Sequence, residues 1–164
     1  MNAILLRDAE ARDFPAVVAL NASEVRHTSA MDDARLRQLH AYAGYHKVVE
    51  IDGAVAAFLL AMREGCGYIN ENFEWFAARY PSFLYVDRIV VGGGHQGLRL
   101  GTRLYEDLFA FARLGNIPCI ACEYNLVPPN EPSRIFHDRF GFTQVGSQWL
   151  GDGAKQVSLQ VAPV

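Results

Sequence analysis

The chain has 164 residues, about half of them apolar, and a formal net charge of −3 at pH 7. This length is near the commonest size of a single domain, so we expect one domain over residues 1–164. The acidic balance and the lack of a lysine- or arginine-rich block argue against a nucleic-acid partner. No apolar run approaches the ~20 residues of a membrane span, and acidic residues come too early for a signal peptide, so we expect a cytoplasmic protein.

The first half of the sequence predicts a strand, two helices and a hairpin. Asp52 and Gly53 separate two apolar runs and form a strong two-residue hairpin signal. The predicted elements are a strand over 4–7, a helix from Phe14 with Asp13 as its N-cap, a helix over 32–43, and strands over 47–51 and 54–62.

A segment of about twenty residues after Met62 has no regular pattern but is rich in aromatic residues and carboxylates. Connections this long are usually functional or disordered, and the aromatic density argues against disorder. One interpretation is a short helix and loop that wall an acceptor pocket. A satellite hydrophobic cluster that covers a sheet edge is an equal alternative. The aromatic residues are Tyr68, Phe73, Trp75, Phe76 and Tyr80.

The stretch from Phe83 to Arg113 combines an apolar strand over 83–91, a glycine-rich turn and an amphipathic helix from Leu98. Three consecutive glycines, Gly92 to Gly94, are not explained by packing and indicate a bare, sharply bent main chain. The N-terminus of a helix that follows such a turn presents unpaired N–H groups, so we predict an anion site. A Walker A loop and a dinucleotide fingerprint are both absent, and an ordinary glycine-rich connection is the alternative.

The last third predicts a strand over 119–124 that is parallel to the strand over 83–91, because a helix crosses between them. Residues 125–132 should fit neither a strand nor a helix, since they contain three prolines. A short helix over 133–140 and a hairpin of strands 143–149 and 156–161 follow. Cys119 and Cys122 form a C-x-x-C pair, which we interpret as buried small side chains on opposite strand faces rather than a metal site.

The sequence QGLRLG over 96–101 resembles the acyl-CoA-binding motif R/Q-x-x-G-x-G/A of the GNAT superfamily of N-acetyltransferases. In that motif the loop follows a strand that ends in valine, and Val91 stands at the usual distance from Gln96. Arg99 stands where the superfamily most often has glycine. A helical main chain there would let arginine add a charge-assisted contact to a phosphate, whereas a positive φ would break the match.

A second resemblance lies in the helix near residue 135. The superfamily typically has N-x-x-A-x-x-L-Y-x-x-x-G-F there, and the corresponding positions are Asn130, Ser133, Phe136, His137, Gly141 and Phe142. The strings FEWFAARYPSFLYVDRIVV, CEYNLVPPN and FHDRFGF also resemble a subgroup of predicted acetyltransferases of unassigned substrate. The resemblance implies an α/β (α+β) GNAT fold. This fold would have about four helices and a mixed, mostly antiparallel central sheet of about seven strands, in which strands 4 and 5 are splayed.

The resemblance also implies acetyl-CoA as cosubstrate, without a metal. The pantetheine arm would lie between the splayed strands and bond the main chain of Ile89, Val90 and Val91, with Asn130 and Ser133 on its other side. The pyrophosphate would rest on main-chain amides of the residues Gln96, Gly97, Leu98, Arg99, Leu100, Gly101 and Thr102.

Three residues are the main candidates for catalysis, and two others are weaker candidates for the base. We take Asp87 as the first candidate for the base, because many superfamily members have a glutamate at this position. The alternative is that Asp87 forms an ion pair with a neighbouring arginine. Glu123 is the second candidate, and Glu71 and Tyr45 are weaker ones on loops. His137 stands where the superfamily has a tyrosine that acts as an acid. For His137, a role as this acid and simple packing against the cofactor are equal alternatives.

The sequence therefore predicts an N-acetyltransferase that moves an acetyl group to a primary amine by direct attack in a ternary complex. A small-molecule amine is slightly favoured as acceptor because carboxylates accompany the aromatic segment. A protein N-acetyltransferase and a non-catalytic acyl-CoA-binding module of the same fold are the alternatives, and a phosphate or nucleotide binder of another class is a distant third. A homodimer is left open.

Overall fold

The computed structural model describes residues 3–24, 28–151 and 153–164, and at Gln96 the main chain only. Within these ranges the strand order is β1-β2-β3-β4-β5-β7-β6 in a seven-stranded mixed sheet, which confirms the predicted fold class with one helix more than expected. The elements are β1 (Ile4–Asp8), α1 (Phe14–Ser23), α2 (Asp33–Tyr42), β2 (Ala43–Ile51), β3 (Ala54–Arg63), α3 (Glu71–Ala77), β4 (Leu84–Val91), α4 (Leu100–Leu114), β5 (Cys119–Val127), α5 (Glu131–Asp138), β6 (Thr143–Leu150) and β7 (Lys155–Pro163). Short 3₁₀ helices cover Ala11–Asp13 and Gly93–Leu98.

The chain divides into two compact units. Unit 1 comprises residues 1–62 and 86–111, and unit 2 comprises residues 63–85 and 112–164. The single domain over 1–164 and the splay of strands 4 and 5 therefore stay predictions.

Unit 1 is built on the antiparallel strands β1, β2 and β3. The predicted hairpin is confirmed, since Asp52 and Gly53 both have positive φ, 51° and 84°, as the tight turn requires. β2 begins at Ala43, four residues before the predicted start at Lys47, because α2 ends directly in the strand. Asp13 precedes α1 as predicted, but its carboxylate does not cap that helix; it accepts hydrogen bonds from Arg7 and from the amide of Glu10.

Unit 2 contains the antiparallel strands β5, β7 and β6 and the beginning of β4. The predicted parallel pairing is confirmed at the start of β4 and β5, where Leu84 is opposite Ile120 and Tyr85 is opposite Ala121. The turn between β6 and β7 includes Asp152, which lies outside the described residues. In unit 2, α3 contacts the segment that leads into β4, where the ring of Phe73 lies 5.6 Å from that of Phe83.

The prediction that residues 125–132 fit neither a strand nor a helix is wrong at both ends. β5 continues to Val127 because β7 pairs with it across a bulge, placing Asn125 opposite Val157. α5 begins at Glu131, and Pro132 is accommodated in its first turn, where the N–H of a residue has no intrahelical partner.

The cysteines behave as small buried side chains. Cys119 and Cys122 are free and buried, and they lie opposite Pro163 and Gln160 in β7. Burial raises the pKa of the Cys119 thiol, and the nearby Glu64 carboxylate adds to this effect. Among the described residues no three histidine, cysteine or acidic side chains are grouped as metal ligands would be. None of the helices in the described part of the chain is long and apolar enough to cross a membrane.

Candidate functional site

The glycine-rich turn after β4 contains two kinds of glycine. Gly92 is buried, its amide donates to the carbonyl of Ala56 at 2.8 Å, and a Cβ there would meet that carbonyl oxygen and Leu20 Cδ2 at 3.1 Å each. A Cβ at Gly93, Gly94 or Gly97 would meet nothing within 4 Å. The interpretation that packing explains none of the three consecutive glycines is therefore wrong for Gly92, which fixes the start of the turn, and it holds for the two that follow.

The turn continues as the 3₁₀ helix Gly93–Leu98 and leads into α4 at Leu100, two residues later than predicted. The first amides of α4, those of Leu100, Gly101 and Thr102, have no partner within the helix, because intrahelical bonding starts one turn later. The first turn of α4 carries no acidic residue, and Arg99 and Arg103 are exposed beside it. Main-chain N–H groups, the helix dipole and two arginines thus favour an anion at this end of α4.

Arg99 adopts a left-handed conformation, with φ 55° and ψ 39°. The alternative in which the main chain is helical at this position is therefore wrong. A non-glycine residue in this conformation costs roughly 1–2 kcal/mol, which explains why glycine is the usual residue at this position of the motif. The exposed guanidinium adds positive charge next to the amides of α4.

The second half of β4 belongs to unit 1 and alternates in burial. Asp87, Ile89 and Val91 are half-buried, whereas Arg88 and Val90 are buried between them. The Asp87 side chain is only 6% exposed and pairs with Arg88, whose Nε lies 3.1 Å from Asp87 Oδ2. Arg88 also donates to the side chain of Asn21 and to the carbonyl of Ser29. This is the ion pair named above as the alternative to a catalytic Asp87.

Glu123 lies on β5 in unit 2 and is half-buried. Both of its carboxylate oxygens are within hydrogen-bond distance of the Tyr85 hydroxyl, at 2.9 and 2.8 Å, and that hydroxyl donates to them. Tyr85 is 1% exposed, so it holds the carboxylate in a fixed position. The sequence analysis named this carboxylate as the second candidate for the base, but no sequence signal indicated its tyrosine partner.

His137 is buried in α5, in contact with aromatic rings that include Phe142. Its Nδ1 lies 2.7 Å from the carbonyl oxygen of Ser133, one helical turn earlier. Since a carbonyl only accepts, Nδ1 carries the proton, and the neutral ring has its lone pair on Nε2. Burial lowers the pKa of His137, which keeps the imidazole neutral near pH 7.

Asn130 and Ser133 lie at the start of the same helix. Asn130 is the N-cap of α5, and its side-chain oxygen accepts from the Ser133 amide at 3.3 Å. The Ser133 hydroxyl is 3.2 Å from His137 Nδ1. The contacts of these two side chains with a pantetheine arm stay a prediction.

Sequence reasoning missed a polar network in unit 2. Gln160 and Ser158 on β7 are 2% and 0% exposed, yet both are hydrogen bonded. Gln160 Nε2 donates to the Tyr124 hydroxyl at 3.1 Å and to the Ser158 hydroxyl, which donates to Gln144 Oε1 at 2.6 Å. Four polar residues from three neighbouring strands meet in this way, and only the register of those strands reveals it.

The weaker candidates for the base are not on irregular loops. Tyr45 lies in β2, and its hydroxyl donates to Asp107 Oδ2 at 2.7 Å. Burial and this carboxylate raise the pKa of Tyr45, so it does not serve as a base near neutral pH. Glu71 is exposed at the start of α3.

The aromatic segment is largely a hydrophobic cluster. Phe73 and Phe76 are 4% and 0% exposed and pack on Phe83 and Tyr85. This arrangement corresponds to the satellite cluster rather than to a pocket wall. Trp75 is half-buried and packs over Gly146, where a Cβ would come within 2.4 Å of the indole.

The sequence model of the Acetyltransferase (GNAT) family matches residues 5–142. The chain therefore belongs to the GNAT acetyltransferase family. Arg99 has the positive φ that was expected to break the acyl-CoA motif, and the use of this motif as a phosphate site stays a prediction. No curated protein sequence matches the chain.

Solved structures of N-acetyltransferases have the same fold. Ard1 from Thermoplasma volcanium superposes with a TM-score of 0.81 at 14% identity, over 99% of this chain and 98% of that chain. The ribosomal-protein-S18-alanine N-acetyltransferase from Escherichia coli gives a TM-score of 0.74 at 16% identity, over 100% of this chain and 94% of that chain. The NatC complex bound to a Gag peptide and CoA gives 0.76 at 9% identity, over 98% of each chain. At these identities the likeness concerns the fold.

Proposed function

We propose that the protein is an acetyl-CoA-dependent N-acetyltransferase that moves an acetyl group to a primary amine by direct attack in a ternary complex. The observation that carries this proposal is the turn from Gly93 into α4, which combines open space at Gly97, first-turn amides that have no intrahelical partner and two exposed arginines. A pyrophosphate on the amides of residues 96–102 fits this arrangement. The NatC structure, which contains CoA, supports the same ligand.

The main chain at the end of β4 is the proposed partner of the pantetheine arm. Ile89 and Val91 are half-buried at this end, and Val90 is buried. Because amide and carbonyl groups make these contacts, substitutions of the three side chains should change acetyl-CoA affinity little.

A base must remove a proton from the acceptor amine, which is mostly protonated near neutral pH. We favour Glu123 over Asp87 for this role. Glu123 is half-buried and accepts from the neutral Tyr85 hydroxyl, whereas the Asp87 side chain is buried in an ion pair with Arg88.

The acceptor is proposed to be a small amine, with a protein N-terminus as the alternative. The buried rings of the aromatic segment no longer support the small amine, but the exposed carboxylates of Glu71 and Glu74 do, since they favour a cationic acceptor. The protein substrate named for the Escherichia coli structure favours the alternative. A panel of small amines and short peptides, followed by release of free CoA thiol, distinguishes the two.

Thermal unfolding with acetyl-CoA, CoA, ATP and NAD in parallel tests the ligand class. A ligand at ~100 times its dissociation constant stabilises the protein by ~2.7 kcal/mol. We expect a higher midpoint with acetyl-CoA and CoA only. An increase with these two ligands, but no thiol release with any amine, would favour the non-catalytic acyl-CoA-binding module. The absence of any increase would contradict the proposal.

A further inference from the structure

Two histidine side chains of unit 1 meet between α2 and β2. His40 lies in the last turn of α2, and His46 is the fourth residue of β2. Their Nδ1 atoms are 2.8 Å apart. Two nitrogens at this distance form a hydrogen bond only if one of them carries a proton and the other has a lone pair. The contact therefore contains one proton.

The second ring nitrogen of His46 has an unusual environment. His46 is 6% exposed, and its ring lies between aromatic neighbours, Phe14 at 6.2 Å and Phe58 of β3 at 6.4 Å. Among the residues that the structure describes, His46 Nε2 is the only buried side-chain nitrogen or oxygen without a hydrogen-bond partner. A proton on this atom would therefore form a buried N–H without an acceptor, which is costly. His40, by contrast, is exposed.

This geometry limits the number of protons that the pair can hold. Each neutral ring has one proton, so the neutral pair has two, and one of them lies between the two Nδ1 atoms. With a third proton, the contact still holds only one, so both Nε2 atoms must be protonated. Every charged form that keeps the contact therefore has the buried N–H on His46. This is true for either tautomer of the neutral pair.

The charged and titratable groups around the pair do not compensate for this cost. Burial lowers the pKa of His46 to about 4, and the neighbouring His40 acts in the same direction. Asp13, which precedes α1, acts in the opposite direction, but its carboxylate is already paired with Arg7 of β1 at 2.7 Å. The guanidinium of Arg37 on α2 lies over the phenyl ring that stacks on His46, and it adds positive charge.

We propose that the His40–His46 pair is an acid-sensitive latch, which holds α2 against β2 while the pair is neutral and opens when the pair gains a proton. On protonation the hydrogen bond between the Nδ1 atoms breaks. The exposed His40 ring then holds the added proton, and His46 keeps a single one. Without this hydrogen bond, α2 separates from β2 more often. Neither CoA nor an acceptor amine takes part, so the latch does not depend on the proposed function.

The effect of pH on the latch has a defined direction. In the open state His46 is exposed to water, where the reference pKa of histidine is ~6.5. The open state therefore binds more protons than the closed state, whose stability is lost as the pH falls from ~6.5 toward about 4. With these two values, the equilibrium constant for opening is about thirtyfold larger at pH 5 than at pH 8.

Hydrogen exchange of the full chain, followed by mass spectrometry, measures the opening of α2. Protection factors at pH 8 and pH 5 are corrected for the intrinsic exchange rate at each pH. In the wild type, we expect the protection of the α2 amides to fall by about thirtyfold at pH 5, and that of the α4 amides to change much less. His46→Leu, which places an apolar side chain in an apolar site, should abolish the change. His95→Gln, which removes a histidine outside the pair, should keep it.

A second measurement detects the proton between the two rings in the wild type. In protein with nitrogen-15-labelled histidine, the chemical shift of a ring nitrogen distinguishes a protonated Nδ1 from an unprotonated one. His40→Gln assigns the signals of the pair. At pH 8 we expect one protonated and one unprotonated Nδ1 in the pair. Because this measurement uses the wild type, it decides the question even if His46→Leu does not fold.

Three outcomes would overturn the latch. Two unprotonated Nδ1 atoms at pH 8 would mean that no proton joins the rings. Equal protection of the α2 amides at pH 8 and pH 5 in the wild type would show that the pair does not control the helix. A change in His46→Leu as large as that in the wild type would assign the acid sensitivity to other groups.

Discussion

The turn that leads into α4 and the network around Tyr124 are assembled in different ways. In the turn, main-chain amides form the proposed binding surface, and the side chains matter mainly by being absent, as at Gly93, Gly94 and Gly97. In the network, Tyr124, Gln160, Ser158 and Gln144 come from three strands, and each depends on a specific partner. A binding surface made of main chain tolerates most side-chain changes, whereas a network fails when one partner is removed.

The largest expected effect comes from a side chain. Glu123→Gln keeps the size of the residue and its hydrogen bond with Tyr85, but it removes the base. We expect kcat to fall by about 10²–10⁴-fold, with an unchanged midpoint increase on binding acetyl-CoA. Steady-state kinetics of Asp87→Asn is the comparison, and a larger loss in that variant would make Asp87 the base.

Arg88 tests whether buried side-chain contacts also hold the strand that leads into the turn. Arg88→Met leaves Asp87 buried without its cation and Asn21 without a donor. The free energy of unfolding in urea should fall by about 3–5 kcal/mol. Arg134→Met is the control, since its pairs with Glu131 and Asp138 are exposed and should contribute little to stability. Similar losses in both variants would contradict the role given to burial.

The two kinds of glycine separate folding from binding within the turn. Gly92→Ala should lower the free energy of unfolding by about 1–3 kcal/mol, because its Cβ meets the Ala56 carbonyl and Leu20. Gly97→Ala should change it by less than about 0.5 kcal/mol, because no protein atom lies near. Urea unfolding of both variants checks this.

A bulky side chain at Gly97 should then weaken binding without unfolding the protein. Gly97→Leu should raise the dissociation constant of CoA by about tenfold or more, equivalent to about 1.4 kcal/mol. Calorimetry measures it. Unchanged affinity would place the pyrophosphate elsewhere, and the proposal that main-chain amides of the turn form the binding surface would lose its support.

The smallest effect concerns Arg99. Arg99→Ala removes the guanidinium but keeps a Cβ at positive φ, whereas Arg99→Gly removes both. The glycine variant should be about 1 kcal/mol more stable than the alanine variant. Equal stability in urea would show that the left-handed conformation carries no cost. If the guanidinium contacts a phosphate, both variants should lose CoA affinity equally.

The sequence predicted the turn that leads into α4 better than the network of side chains around Tyr124. Glycine spacing and the change of periodicity after Val91 are local, so they indicated the turn and α4. The difference in packing between the crowded Gly92 and the open Gly97 was not predictable, because the atoms that crowd Gly92 belong to α1 and β3.

Most of the structural features that the sequence did not predict depend on contacts between residues that are far apart in sequence. Tyr85 and Glu123 are 38 residues apart, and Tyr124 and Gln160 are 36 apart, so only the strand register joins them. The extension of β5 to Val127 also depends on β7, whose partners override the local signal of the following prolines. The resemblance indicated the family, and the ion pair of Asp87 with a neighbouring arginine was foreseen only as an alternative to a catalytic role.

The buried C-x-x-C pair bears on how the enzyme can be assayed. A thiol-reactive dye that follows released CoA also reacts with accessible protein thiols, and this chain has three cysteines. Cys119 and Cys122 are shielded in β5, while Cys66 is half-buried. The dye background of the folded protein should therefore come from Cys66, and a Cys66→Ser variant would allow continuous turnover measurements at high enzyme concentration.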